Sequence, residues 1–126
     1  MLPKIERLRK NEDFKKVFKL KCSVATNNII AYVAPKSIDP AIESPKVGFI
    51  VAKKVQKKAT GRNKIKRRMR EAYRSIKKSN IEAVNEFGSI IFIARPAIIE
   101  SDYIDIYKNI ELCLQKAVKR QKRKTC

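Results

Sequence analysis

Residues 46–78 read KVGFIVAKKVQKKATGRNKIKRRMREAYRSIKK, and two periods meet inside that stretch. In its first eight residues Val47, Phe49 and Val51 alternate with Gly48, Ile50 and Ala52, the period of a strand. Apolar residues on both faces predict a strand in the interior of its sheet. The remainder follows a helical period of about 100° per residue. Ile65, Met69, Ala72, Tyr73 and Ile76 share one narrow sector, while Lys66, Arg67, Arg70, Arg74, Lys77 and Lys78 fall opposite it. This is an amphipathic helix with an apolar seam and a cationic back. The helix starts near Thr60 and Gly61.

The cationic back is not an ordinary solvated face. Residues 53–78 hold 13 of the 31 basic residues and one acid, Glu71. Solvated helices usually mix signs, because like charges at i,i+4 repel. Lys66–Arg70 and Arg70–Arg74 are both such pairs. A bound polyanion relieves that repulsion.

Outward from this stretch, the rest of the chain supplies a small α+β domain. Asn11 can cap a helix over EDFKKVFK, with Glu12 and Asp13 in its first turn. Phe14, Val17 and Phe18 share one face, which as a bare pattern reads as core. Residues 28–34 (NIIAYVA) predict a strand, and 35–45, with three prolines, a long loop. After the basic helix, a polar segment (79–86) precedes a second apolar strand, SIIFIAR (89–95). Strand, long helix, strand implies a βαβ crossover with parallel strands. Ser101 or Asp102 can cap a last helix whose stripe reads Ile104, Tyr107, Ile110, Leu114 and Val118. The predicted architecture is a single-domain α+β two-layer sandwich over residues 1–126, a small mixed sheet with helices mainly on one face. A basic lead-in (1–10) and a basic C-terminal tail of about residues 119–126 flank it.

Composition narrows the function. A net charge of +19 on 126 residues points to nucleic acid, with an anionic membrane surface second. The charge is directional: residues 79–115 carry six acids and two bases, and the last eleven residues carry six bases and no acid. Cys22, Cys113 and Cys126 are scattered, and there is no histidine, which argues against a disulfide framework and a zinc site. No apolar run approaches the ~20 residues of a membrane span. The first residues lack the apolar core of a signal peptide. These features predict a cytoplasmic protein.

Catalytic side chains are scarce. Without histidine the commonest general base is missing, and no carboxylate cluster suited to two-metal chemistry shows. The chain reads as a binder of nucleic acid, with any reaction carried by something else. Lys and Arg supply affinity for phosphate, and Phe14, Phe18 and Tyr32 can stack unpaired bases. That combination suits single-stranded or folded RNA better than duplex DNA.

Three segments in order carry a resemblance: LRKNEDFKKVFK (8–19), VGFIVAKKV (47–55) and GRNKIKRRMREAYR (61–74). Together they resemble the bacterial ribonuclease P protein family, over nearly the whole chain. The resemblance implies a protein subunit of a ribonucleoprotein endonuclease, a hydrolase that removes the 5′ leader of precursor tRNA. Its partners would be the catalytic RNA subunit and precursor tRNA, with no membrane and no protein partner. It implies no catalytic residue and no metal on the protein, no cofactor bound by the protein alone, and Mg2+ acting with the RNA subunit.

By the same resemblance, Lys53, Lys54, Arg62, Asn63, Lys64, Lys66, Arg67, Arg70 and Arg74 would bind RNA. Phe14, Phe18 and Tyr32 would line a cleft for the 5′ leader, and so be partly exposed. The crossover would be left-handed, against the usual right-handed rule. Lys64 departs from the family's Arg-Asn-Arg core: it keeps the charge and loses the planar fork. The alternative is a non-catalytic RNA-binding structural protein of the ribosome or another ribonucleoprotein. A stand-alone nuclease and an architectural protein of duplex DNA fit less well, for want of catalytic groups and because of the aromatic set.

Overall fold

The computed structural model describes residues 11–19, 23–35, 46–79 and 87–122. The basic lead-in, most of the 35–45 loop, the polar segment after the basic helix and the end of the tail lie outside them. Helix α1 spans Asn11–Lys19, and strands β1, β2 and β3 span Ser23–Ala25, Ile29–Pro35 and Lys46–Ile50. Helix α2 (Ala59–Ser79) crosses to β4 (Phe87–Ala94). A 3-10 turn, Pro96–Glu100, leads to helix α3 (Tyr103–Lys122).

The four strands form one mixed sheet in the order β1-β2-β4-β3. β3 and β4 are parallel neighbours, as a strand–helix–strand crossover requires, with Phe49 beside Phe92 and Ile50 beside Ile93. β2 pairs antiparallel with both β1 and β4.

Alternation assigns the two faces. Ile29, Ala31 and Val33 of β2, Val47 of β3, and Ile90, Phe92 and Ala94 of β4 belong to the main core. The seam of α2 (Ile65, Met69, Ala72, Tyr73, Ile76) closes on it, every member buried as its spacing predicts. Its larger aliphatic members, Ile65, Met69 and Ile76, are each worth about 1.5–3 kcal/mol against exposure. α3 covers the rest of this face. The opposite face is partly covered by α1, whose Val17 packs with Ala34 and Ile91. The two long helices thus share one face, and the short one sits on the other.

Three readings need correction. β3 lies at the sheet's edge, not in its interior, because β4 inserts between it and β2. Its two-sided apolar pattern reflects apolar clusters on both faces of the sheet, and says nothing of lateral neighbours. β3 also ends at Ile50, so Lys53 and Lys54 lie beyond the strand in a turn. In α3 the inward stripe is Ile106, Ile110, Cys113, Leu114 and Ala117, while Ile104 is 59% exposed and Tyr107 and Val118 are half-buried. Small residues, Cys113 and Ala117, face the sheet where the helix comes close, and a hydrophobicity pattern underrates them. β1, three residues long, has no period to announce it.

The β1–β2 turn is tied to the far end of the chain by polar contacts. Asn28, almost fully buried, donates from Nδ2 to Ser101 Oγ at 2.8 Å. Arg95 Nη1 donates to the Thr26 carbonyl at 2.9 Å, and Lys116 Nζ to the Ala25 carbonyl at 3.0 Å. Asp102, one of the two cap candidates, accepts from the Asp105 amide at 2.9 Å and so caps α3.

Candidate nucleic-acid interface

The seam of α2 fixes its opposite side toward solvent. Asn63, Lys64, Lys66, Arg67 and Arg70, with Thr60, line an open depression of about 510 Å3 along the helix. Arg74 continues this side, exposed, one turn further on. No acid lies in the first turn of α2, and Lys77 and Lys78 close its last turn. The face is therefore a nearly unbroken cationic strip. Its geometry suits a phosphate backbone, which several donors can follow at once.

Arg62 stands apart from that strip. Its Nη1 donates to the Gln56 carbonyl at 3.1 Å and to the Lys57 carbonyl at 2.7 Å. The guanidinium thus clasps the loop between β3 and α2. Gly61 admits the Gln56 side chain, since a Cβ there would come within 2.6 Å of the Gln56 Cδ. Gln56 Oε1 in turn accepts from the Lys58 amide at 3.3 Å. The same loop begins with a turn closed by the Val55 amide on the Ala52 carbonyl at 3.0 Å. Lys53 and Lys54 sit exposed at its tip. Spacing alone groups Arg62 with Asn63 and Lys66; only the folded loop reveals its local partners.

The second surface lies across the sheet. Phe14, Phe18 and Tyr32 are half-buried, packed around Val17, Ala34 and Ile91. The Phe18 and Tyr32 rings meet edge-on, centroids 4.9 Å apart and planes at 79°. Ile50 and Ile93 join the same cluster. The register explains their place: Ile30 of β2, Ile93 of β4 and Ile50 of β3 lie side by side across the sheet. Strand parity with Tyr32 marks Ile30 within β2, but Ile50 and Ile93 join this face only through the pairing of separate strands, which the sequence does not show. The result is an apolar and aromatic floor that is only half covered.

β3 links the two surfaces. Ile50 faces the aromatic floor, while its neighbour Phe49 faces α2, where the Arg70 guanidinium lies 6.0 Å from its ring centre. Other chemistry is sparse. Among the described residues, no three His, Cys, Asp or Glu side chains gather as a metal site. Burial pushes the Cys113 thiol up to about 11, and it holds the Tyr73 hydroxyl well above its ordinary value. Both groups are protonated and inert at neutral pH. No described helix is long and apolar enough to cross a membrane.

Comparison with known proteins accords with this geometry. A family model described as Ribonuclease P matches residues 2–118. A ribonuclease P protein component from Alkaliphilus oremlandii is 38% identical over 112 residues, covering 89% of this chain and 90% of its own. The solved Staphylococcus aureus RNase P protein superposes with a TM-score of 0.73 at 30% identity, over 89% of this chain and 94% of that one. An RNase P protein from Thermotoga maritima, solved with 1-(4-fluorophenyl)-2-thiourea, gives 0.71 at 25% identity, over 86% and 97%.

Proposed function

The chain belongs to the ribonuclease P protein family, as the protein component of that tRNA-processing enzyme, and from that premise we propose how its two surfaces divide the work. The cationic strip of α2, with the Lys53–Lys54 turn, binds the phosphates of the enzyme's RNA subunit. The half-covered floor of Phe14, Phe18, Tyr32, Ile50 and Ile93 receives the unpaired 5′ leader of precursor tRNA. Unpaired bases stack on aromatic rings without needing a fixed sequence. The observation that carries this reading is the pairing of Phe18 with Tyr32 at 4.9 Å on a sheet face the helices leave half open. On the other face the core rings Tyr73 and Phe92 are fully covered.

In this reading bond cleavage belongs to the RNA subunit. The described side chains of the cationic strip do not fit a magnesium site: Mg2+ takes oxygen ligands, and ammonium and guanidinium groups repel it. The protein's part is to hold leader and RNA together and to screen their mutual repulsion. Such positioning lowers the magnesium the reaction needs.

The test is precursor-tRNA cleavage at low, near-physiological magnesium with the protein alone, a ribonuclease P RNA alone, and both. Strong cleavage at the leader junction only in the mixture is the expected result. Cleavage by the protein alone overturns the assignment of chemistry to RNA. No gain over the RNA alone leaves a structural ribonucleoprotein role instead.

A further inference from the structure

Arg70 differs from the other cations of the strip in what lies beneath it. Its guanidinium carbon is 6.0 Å from the centre of the Phe49 ring, within the range of a cation–π contact. Phe49 is itself braced. It stacks on Phe92, with centroids 5.6 Å and planes 18° apart, and meets Tyr73 edge-on at 6.4 Å. Phe92 and Tyr73 are fully buried, and Tyr73 lies one turn along α2 from Arg70. A rigid aromatic ledge therefore runs from the sheet's core to the rim of the cationic depression and ends under one guanidinium.

A free arginine side chain loses rotamer freedom when it binds, and its planar fork is useful only when its plane is set. We propose that Phe49 is a positioning residue for RNA binding. Its ring fixes the Arg70 guanidinium, half-buried beside Asn63, Lys66 and Arg67, so that the fork is presented in one orientation to an RNA phosphate. Phe49 itself faces the core and touches no ligand; it acts through Arg70. The inference rests on the reading of the α2 strip as an RNA interface. It adds to that reading a residue outside the basic helix which sets the geometry of one contact within it.

The experiment titrates the full-length protein with the ribonuclease P RNA of Alkaliphilus oremlandii, at a temperature where melting curves show every variant folded. The variants are Phe49→Leu, Phe49→Tyr, Arg70→Ala and the double Phe49→Leu/Arg70→Ala. Val47→Ala is the control, a buried neighbour on β3 whose loss costs packing but removes no ring from under Arg70. Phe49→Leu should weaken binding about two- to tenfold, with Phe49→Tyr and Val47→Ala near the unaltered protein. In the double variant the Phe49→Leu penalty should vanish, leaving the affinity of Arg70→Ala. Unchanged binding by Phe49→Leu while Arg70→Ala binds weakly overturns the proposal. So does a Phe49→Leu penalty that persists undiminished without Arg70, which would assign the ring to the fold alone. If the unaltered protein does not bind this RNA, the interface reading falls first and takes the inference with it.

Discussion

Arg62 Nη1 and the Lys57 carbonyl lie 2.7 Å apart, a charge-assisted hydrogen bond that ties the first turns of the basic helix to the loop before it. The Lys53–Lys54 turn belongs to that loop, and Arg62 anchors the end of it that leads into the helix.

Arg62→Ala should therefore lower stability by about 1–3 kcal/mol, since two carbonyls lose a charged donor. Arg62→Lys should recover only part of it, because an ammonium cannot span both carbonyls in a planar fork. Denaturant midpoints of the three proteins check this. Equal stability would mean the clasp is incidental and leave Arg62 as a plain surface cation.

Phe18→Ala and Tyr32→Ala each remove one ring of the edge-on pair. Either should weaken precursor-tRNA binding by the RNA–protein complex by ~1–3 kcal/mol if a stacked base is lost. Mature tRNA, which lacks the leader, should be affected far less. Equal losses for both would show that the rings only support α1.

Binding of the RNA subunit should weaken steeply with salt, with a log–log slope of about −0.7 to −0.9 per neutralised phosphate. Arg67, exposed on the strip, should account for about one such contact, so Arg67→Ala should flatten the slope by about one. A slope of one or two in the unaltered protein would count against α2 as the main interface.

Cys113 makes a signed prediction for alkaline pH. Burial raises its thiol from 9.0 to about 11, so the folded chain keeps a proton that the unfolded chain gives up. The unfolded state then binds fewer protons across that window, and stability falls as pH rises from about 9 to about 11. Below pH 9 the thiol is protonated in both states and contributes no pH dependence. Cys113→Ala should be less stable overall, yet its stability should fall less across the same window. Urea titrations at pH 8, 9, 10 and 11 compare the two proteins. In the native state Cys113 should also resist iodoacetamide, as mass spectrometry of its peptide will show.

Asp102 caps α3 through the Asp105 amide at 2.9 Å. Asp102→Ala should cost about 1 kcal/mol, and Asp102→Asn much less, because the amide oxygen can still accept. Thermal melts separate the two.

Much of this molecule was legible in the chain itself. The seam Ile65–Met69–Ala72–Tyr73–Ile76 and its cationic back follow from helical period alone, and so does the direction in which the charge faces. The parallel pairing of β3 and β4 follows from a long helix between two apolar strands. The family was also readable, from three ordered motifs. Burial and periodicity are local properties, and each residue carries its own share of them.

Other features came only from long-range packing. The edge position of β3 depends on β4 inserting beside β2, with Phe49 paired to Phe92 far along the chain. The true inward face of α3 depends on how closely the helix meets the sheet, which lets Cys113 and Ala117 replace larger residues. Whether Phe14 and Phe18 form core or floor depends on how much of the second sheet face α1 covers, and it leaves them half-open. Arg62 and Arg70, two basic residues among many on the same helix, were separated only by what folds against each. One meets loop carbonyls, and the other an aromatic ring. Charge and spacing set that this face is cationic; tertiary contacts decided what lies against each cation.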